Sequence, residues 1–104
     1  MPKLIDKHFG MIVSVEPTDK SKNDESWIWR KDYEGFIGVI TIYESQRISK
    51  GNHFIVVNND TRYIRTSVGK LTYTRILNES FIILETTNSV YTIKLLGTNG
   101  KDGE

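Results

Sequence analysis

Between Gly10 and Leu96 the apolar side chains come in short runs that alternate with polar ones, the period-2 signature of strands with one buried face. The first run is 10–15 (GMIVSV). Others follow at about 35–44 (GFIGVITIYE), 53–58 (HFIVVN), 61–68 (TRYIRTSV) and 71–77 (LTYTRIL). The last, 81–96, is split by a turn. Trp27-Ile28-Trp29 reads as a further extended segment with both indoles on one side. This pattern predicts an all-β fold: a single small domain spanning 1–96, a six- to seven-stranded antiparallel meander closing into a small β-barrel. Residues 16–26 (EPTDKSKNDES) are expected to form a mobile solvated loop, and 97–104 (GTNGKDGE) a disordered C-terminal tail.

Three corners set the register. Asn88-Ser89 as a two-residue loop pairs Thr87 with Val90. It gathers Ile82, Leu84, Tyr91, Ile93 and Leu95 on one face. Gly69-Lys70 as a type II′ loop pairs Val68 with Leu71, with Gly first as that turn prefers. It puts Ile64, Val68, Leu71, Tyr73 and Leu77 on one face, and Tyr63, Arg65, Thr72, Thr74 and Ile76 on the other. Asn59-Asp60 as a type I′ loop pairs Asn58 with Thr61. It adds Ile55 and Val57 to the Ile64 face, and Phe54 and Val56 to the Tyr63 face.

Composition supports this reading. The 104 residues include 13 Ile, 7 Val and 10 Thr but no Ala and no Cys. β-Branched residues favour strands, while Ala is the best helix former. Without Cys there is no disulfide, thiolate metal site or cysteine nucleophile. The N-terminal stretch lacks the apolar core of a signal peptide, and no apolar run approaches a membrane span, so a cytoplasmic setting and no membrane partner are expected. His8 and His53 are the only histidines, so no metal site or cofactor is expected.

Catalytic patterns are missing. Ser67-Val68-Gly69-Lys70-Leu71 lacks the earlier glycine and the hydroxyl of a phosphate loop, and Gly35-Phe36-Ile37-Gly38 lacks a third glycine. Asp32, Glu34 and Glu44 are scattered and read as solvated charges. The expectation is a non-enzymatic protein with no catalytic residues.

What remains is binding. The outer stripe of Phe54, Tyr63, Arg65, Thr72 and Thr74, joined by Trp27 and Trp29, has the Tyr, Trp and Arg content of a protein-docking hot spot. The leading expectation is a small accessory or inhibitor protein that docks a protein partner or a second copy. Cover by another segment, or Trp27 and Trp29 as a core lid, is the competing structural reading. Net charge is only +1 overall, but residues 46–78 carry Arg47, Lys50, Arg62, Arg65, Lys70 and Arg75 against Asp60 alone, a local +5. The alternative is therefore an OB-like binder of single-stranded nucleic acid through that basic run.

Overall fold

The computed structural model describes residues 3–18, 31–45 and 52–98. These contain seven strands: β1 (Lys3–Pro17), β2 (Ile37–Glu44), β3 (Asn52–Asn58), β4 (Tyr63–Arg65), β5 (Gly69–Ile76), β6 (Glu79–Glu85) and β7 (Ser89–Thr98). All pairings are antiparallel. They form one sheet in the order β2-β1-β7-β6-β5-β3-β4, and an additional β2–β3 ladder closes a barrel-like ring of hydrogen bonds. The all-β expectation is met, in a largely meandering order.

The ring is steeply sheared. Partners followed from Lys3 through Glu44, His53, Gly69 and Lys70, Glu85 and Val90 return to β1 at Glu16, about thirteen residues further along. Register shifts in β1 at Leu4/Asp6, Phe9/Gly10 and Ile12/Ser14 bend this long strand so that it serves both β2 and β7.

Alternation delivers the core. Ile12, Val15, Ile40, Ile42, Ile55, Val57, Ile64, Ile82, Leu84, Tyr91 and Ile93 fill the interior, all nearly or fully buried. Burying each such side chain contributes about 1.5–3 kcal/mol, and β-branched residues dominate the inward positions because they pack well on a pleated strand.

The corners differ from the sequence reading in instructive ways. The β6–β7 loop is Thr87-Asn88, not Asn88-Ser89, and Glu85 faces Val90. Buried Thr86 explains the shift: its Oγ1 donates to the Ser89 carbonyl at 3.0 Å and accepts from the Ser89 amide at 3.1 Å. The β3–β4 loop is Asp60-Thr61, not Asn59-Asp60. There the Asn59 side chain accepts from the amides of Thr61 (2.8 Å) and Arg62 (3.1 Å), which places Asn59 before the turn.

The Gly69-Lys70 hairpin does not exist. Gly69 opens β5 and pairs with His53 of β3, so β4 and β5 run one after the other along the same edge of β3. Between them the buried Thr66 stands in for the ladder, its Oγ1 accepting from the Ile55 amide at 3.0 Å. Glycine is needed at 69 for close approach instead of for a turn: a Cβ there would sit 2.2 Å from the Glu85 carbonyl oxygen. The real hairpin turn is Leu77-Asn78, both at positive φ (51° and 70°). Leu77, expected on the core face, is 91% exposed at its tip.

Strand ends also move. β1 begins at Lys3 and runs through Glu16 and Pro17, and β7 continues to Thr98, so Gly97 and Thr98 pair with Phe9 and His8. The rest of the expected loop and tail, 19–26 and 99–104, lies outside the described residues.

Candidate functional surface

On the outer side, β3 lies between β2 and β4, and their side chains meet over Phe54. Tyr43 pairs with Phe54 across the β2–β3 ladder, the rings stacked at 5.1 Å. From the other side, the Arg65 guanidinium sits 4.5 Å from the Phe54 ring centroid. Phe54 is therefore only 4% exposed although it points outward, so it is covered and not the docking residue expected from the sequence, and Arg65 is held by a cation–π contact. Tyr63, two residues before Arg65 on the same strand face, is 64% exposed.

The neighbouring end of the ring is closed by residues 31–36. Phe36 accepts the Ile12 amide and Gly35 donates to the Ile12 carbonyl, and Tyr33 and Phe36 pack against the core. Arg62 lies over both rings, at 5.3 Å from Tyr33 and 6.0 Å from Phe36. Glu34, expected as a free surface charge, is structural. It accepts from the Val15 amide at 2.9 Å and from Lys31 Nζ at 3.0 Å, and these bonds, the amide foremost, hold its carboxyl below the usual range.

Arg62 and Arg65 have no carboxylate partner among the described residues. Each is instead fixed on aromatic faces, with Tyr63 between them in sequence. The sequence reading puts Phe54, Tyr63 and Arg65 on one face, and the strand pairing does the same. The sequence reading misses Tyr43, because register across the 45–52 connection has no short turn to set it.

The other residues singled out in the sequence fall elsewhere. Thr72 and Thr74 are on the outer face of β5, opposite Ile83 and Phe81. Tyr63 faces Asn58 while Lys70 faces Asn52, a separation of roughly 20 Å along β3, and both threonines lie farther on. Trp27, Trp29, Arg47 and Lys50 lie outside the described residues. Of the remaining cations in the basic run, Arg62 caps the closed end, Arg65 lies on the outer face, Lys70 sits at the β3–β5 junction and Arg75 is at the opposite mouth. They do not line one groove.

That opposite mouth holds a polar trio the sequence does not reveal, since residues 1–10 carry no clear alternation. Asp6 and His8 project inward from β1 opposite Ile42 and Ile40. His8 Nε2 lies 2.8 Å from Asp6 Oδ2, off the line of a directed hydrogen bond, so the pair is ionic when His8 is protonated. Tyr73 donates to the same carboxylate oxygen at 3.1 Å. Burial alone would raise the Asp6 pKa, but His8, the Lys7 amide and Tyr73 outweigh it and hold the carboxyl below its ordinary value. Burial, then the Asp6 carboxylate, pushes Tyr73 up to about 12.

Among the described residues no group of three His, Asp or Glu side chains gathers to hold a metal ion, and no helix is long and apolar enough to cross a membrane. No family model, curated protein or solved structure matches this chain.

Proposed function

We propose that this protein is a non-catalytic binding module that docks an acidic protein surface with the outer face of β3 and β4, centred on Tyr63 and Arg65. One observation carries the reading: an exposed tyrosine stands beside an arginine already ordered on the Tyr43–Phe54 stack. Tyr and Arg dominate binding hot spots, and side chains ordered before contact lose less entropy on docking. Among the described residues Arg62 and Arg65 meet no carboxylate, which favours a partner that supplies them. Dispersal of the described basic residues, Arg62, Arg65, Lys70 and Arg75, makes a nucleic-acid track the weaker reading.

A photo-crosslinking amino acid at position 63 tests this in extract from the source cell. One protein is expected to crosslink, to be competed away by unlabelled wild type, and to escape competition by a Tyr63→Ala/Arg65→Glu double variant. The same probe at Thr72 is expected to give nothing. Equal capture from both positions would overturn the proposal. So would nuclease-sensitive adducts, together with salt-sensitive quenching by an oligonucleotide, which would favour the nucleic-acid reading.

A further inference from the structure

β4 is paired on one side only. It meets β3, and no described strand runs along its other edge. The phase of the β3–β4 ladder decides what that edge presents. Antiparallel partners alternate between pairs that exchange backbone hydrogen bonds and pairs that do not. The Asn59 amide donates to the Arg62 carbonyl at 3.0 Å, and the Thr66 amide donates to the Ile55 carbonyl at 2.9 Å. By alternation Val57 and Ile64 are a bonded pair, while Asn58 with Tyr63 and Val56 with Arg65 are not.

The N–H and C=O of Ile64 therefore turn toward β3, and those of Tyr63 and Arg65 turn away from it. Among the described residues nothing meets these two donors and two acceptors. Both residues are exposed, so the groups lie on an accessible edge.

We infer that β4 takes an extended acidic segment of the partner as an added strand, bonded through the backbone of Tyr63 and Arg65. The inference rests on the docking surface proposed above and states how the partner engages it. An exposed row of outward N–H and C=O groups is a template for strand addition. In an added antiparallel strand, the residues bonded to Tyr63 and Arg65 project on the same outer face as those side chains. The residue between them projects inward beside Ile64. Arg65 meets no carboxylate among the described residues, so an acidic side chain suits the position opposite it. Ile64 is 3% exposed, so an apolar side chain suits the position beside it. A second copy of the chain suits this edge less well. Two β4 strands paired about Ile64 gather the Arg62 and Arg65 of both copies and supply no anion. The short edge limits the ladder to the four backbone bonds of Tyr63 and Arg65, so association is weak and selectivity comes from side chains.

Amide exchange and an NMR titration test this. In the protein alone, the Tyr63 and Arg65 amides are expected to exchange about tenfold faster than that of Ile64, or more. A short blocked peptide of alternating glutamate and valine, added to millimolar concentration, is expected to shift both amides and slow their exchange. Methylating its glutamate nitrogens removes the donors that face β4 and is expected to weaken binding about tenfold. Methylating its valine nitrogens, on the far edge, is expected to change binding by less than about twofold. Equal or reversed effects of the two methylations, or no binding, overturn strand addition. The crosslink at position 63 decides the docking reading separately. Slow exchange of Tyr63 and Arg65 in the protein alone also overturns the inference. It points to cover by the chain itself where it is independent of protein concentration, and to a second copy where it is not.

Discussion

The Tyr73 hydroxyl donates to the Asp6 carboxylate at 3.1 Å and so ties β5 to β1, two strands that share no ladder. The bond spans the mouth of the ring; burial first and this bond second raise Tyr73, while His8 and the Lys7 amide, with a smaller share from Tyr73, outweigh burial and lower Asp6. For Asp6 the folded pKa is depressed, so its contribution is present above the unfolded value of 3.8 and is lost as pH falls through the folded value. For Tyr73 the folded pKa is raised from 10.0 to about 12, so its contribution is complete below pH 10.0 and is lost as pH climbs toward about 12. Tyr73→Phe is expected to flatten the alkaline limb of a plot of urea midpoint against pH. It should also move the acid limb associated with Asp6 upward. An alkaline limb identical to wild type would show that the bond is not made in solution.

Gly69→Ala is expected to destabilise the protein by about 2–3 kcal/mol, because the added methyl meets the Glu85 backbone, which has no flexible end to swing aside. Gly97→Ala is the control. It has nothing within 4 Å of its would-be Cβ and is expected to change stability by less than about 0.5 kcal/mol. Chemical denaturation of both variants measures the difference.

Phe54 and Tyr63 share the outer face but have different roles. Phe54→Ala removes the middle of the Tyr43–Phe54–Arg65 stack and is expected to lower unfolding free energy by about 3 kcal/mol or more. Tyr63→Ala removes an exposed ring and is expected to stay within about 0.5 kcal/mol of wild type. Equal losses in thermal melts would mean that Tyr63 belongs to the packing and not to a docking face.

Thr66→Val keeps shape and removes the oxygen that receives the Ile55 amide, leaving that buried donor unsatisfied. The expected loss is about 1–3 kcal/mol. Amide exchange at Ile55 should accelerate more than at Val57, whose side of the ladder is backbone-paired.

Much of the fold was legible because strand faces depend on parity alone. Moving the Asn88-Ser89 corner to Thr87-Asn88, or Asn59-Asp60 to Asp60-Thr61, slides one strand past its partner by two residues and leaves every side chain on its expected face. Ile82, Leu84, Tyr91 and Ile93 are buried together as the alternation requires, and so are Ile55, Val57 and Ile64. The corners themselves were hidden because Thr86 and Asn59 bond locally to the backbone, which outweighs the simple turn preference of the dipeptides. Gly69 misled because glycine serves close backbone approach as well as turns, and only the neighbouring strand distinguishes them. For the candidate surface, Tyr63, Arg65 and Phe54 followed from parity. Their separation from Thr72 and Thr74 did not, since it depends on β4 and β5 sharing one edge of β3.

The closure of the ring has a consequence for biosynthesis. His8 pairs with Thr98, ninety residues later in the chain. A ribosome releases β1 long before the strand that covers its second edge, so the nascent chain carries an open β-edge until β7 emerges. Contacts this distant in sequence slow folding and prolong that exposure. Translation speed and chaperone supply should therefore govern soluble yield more than the stability of the finished molecule does.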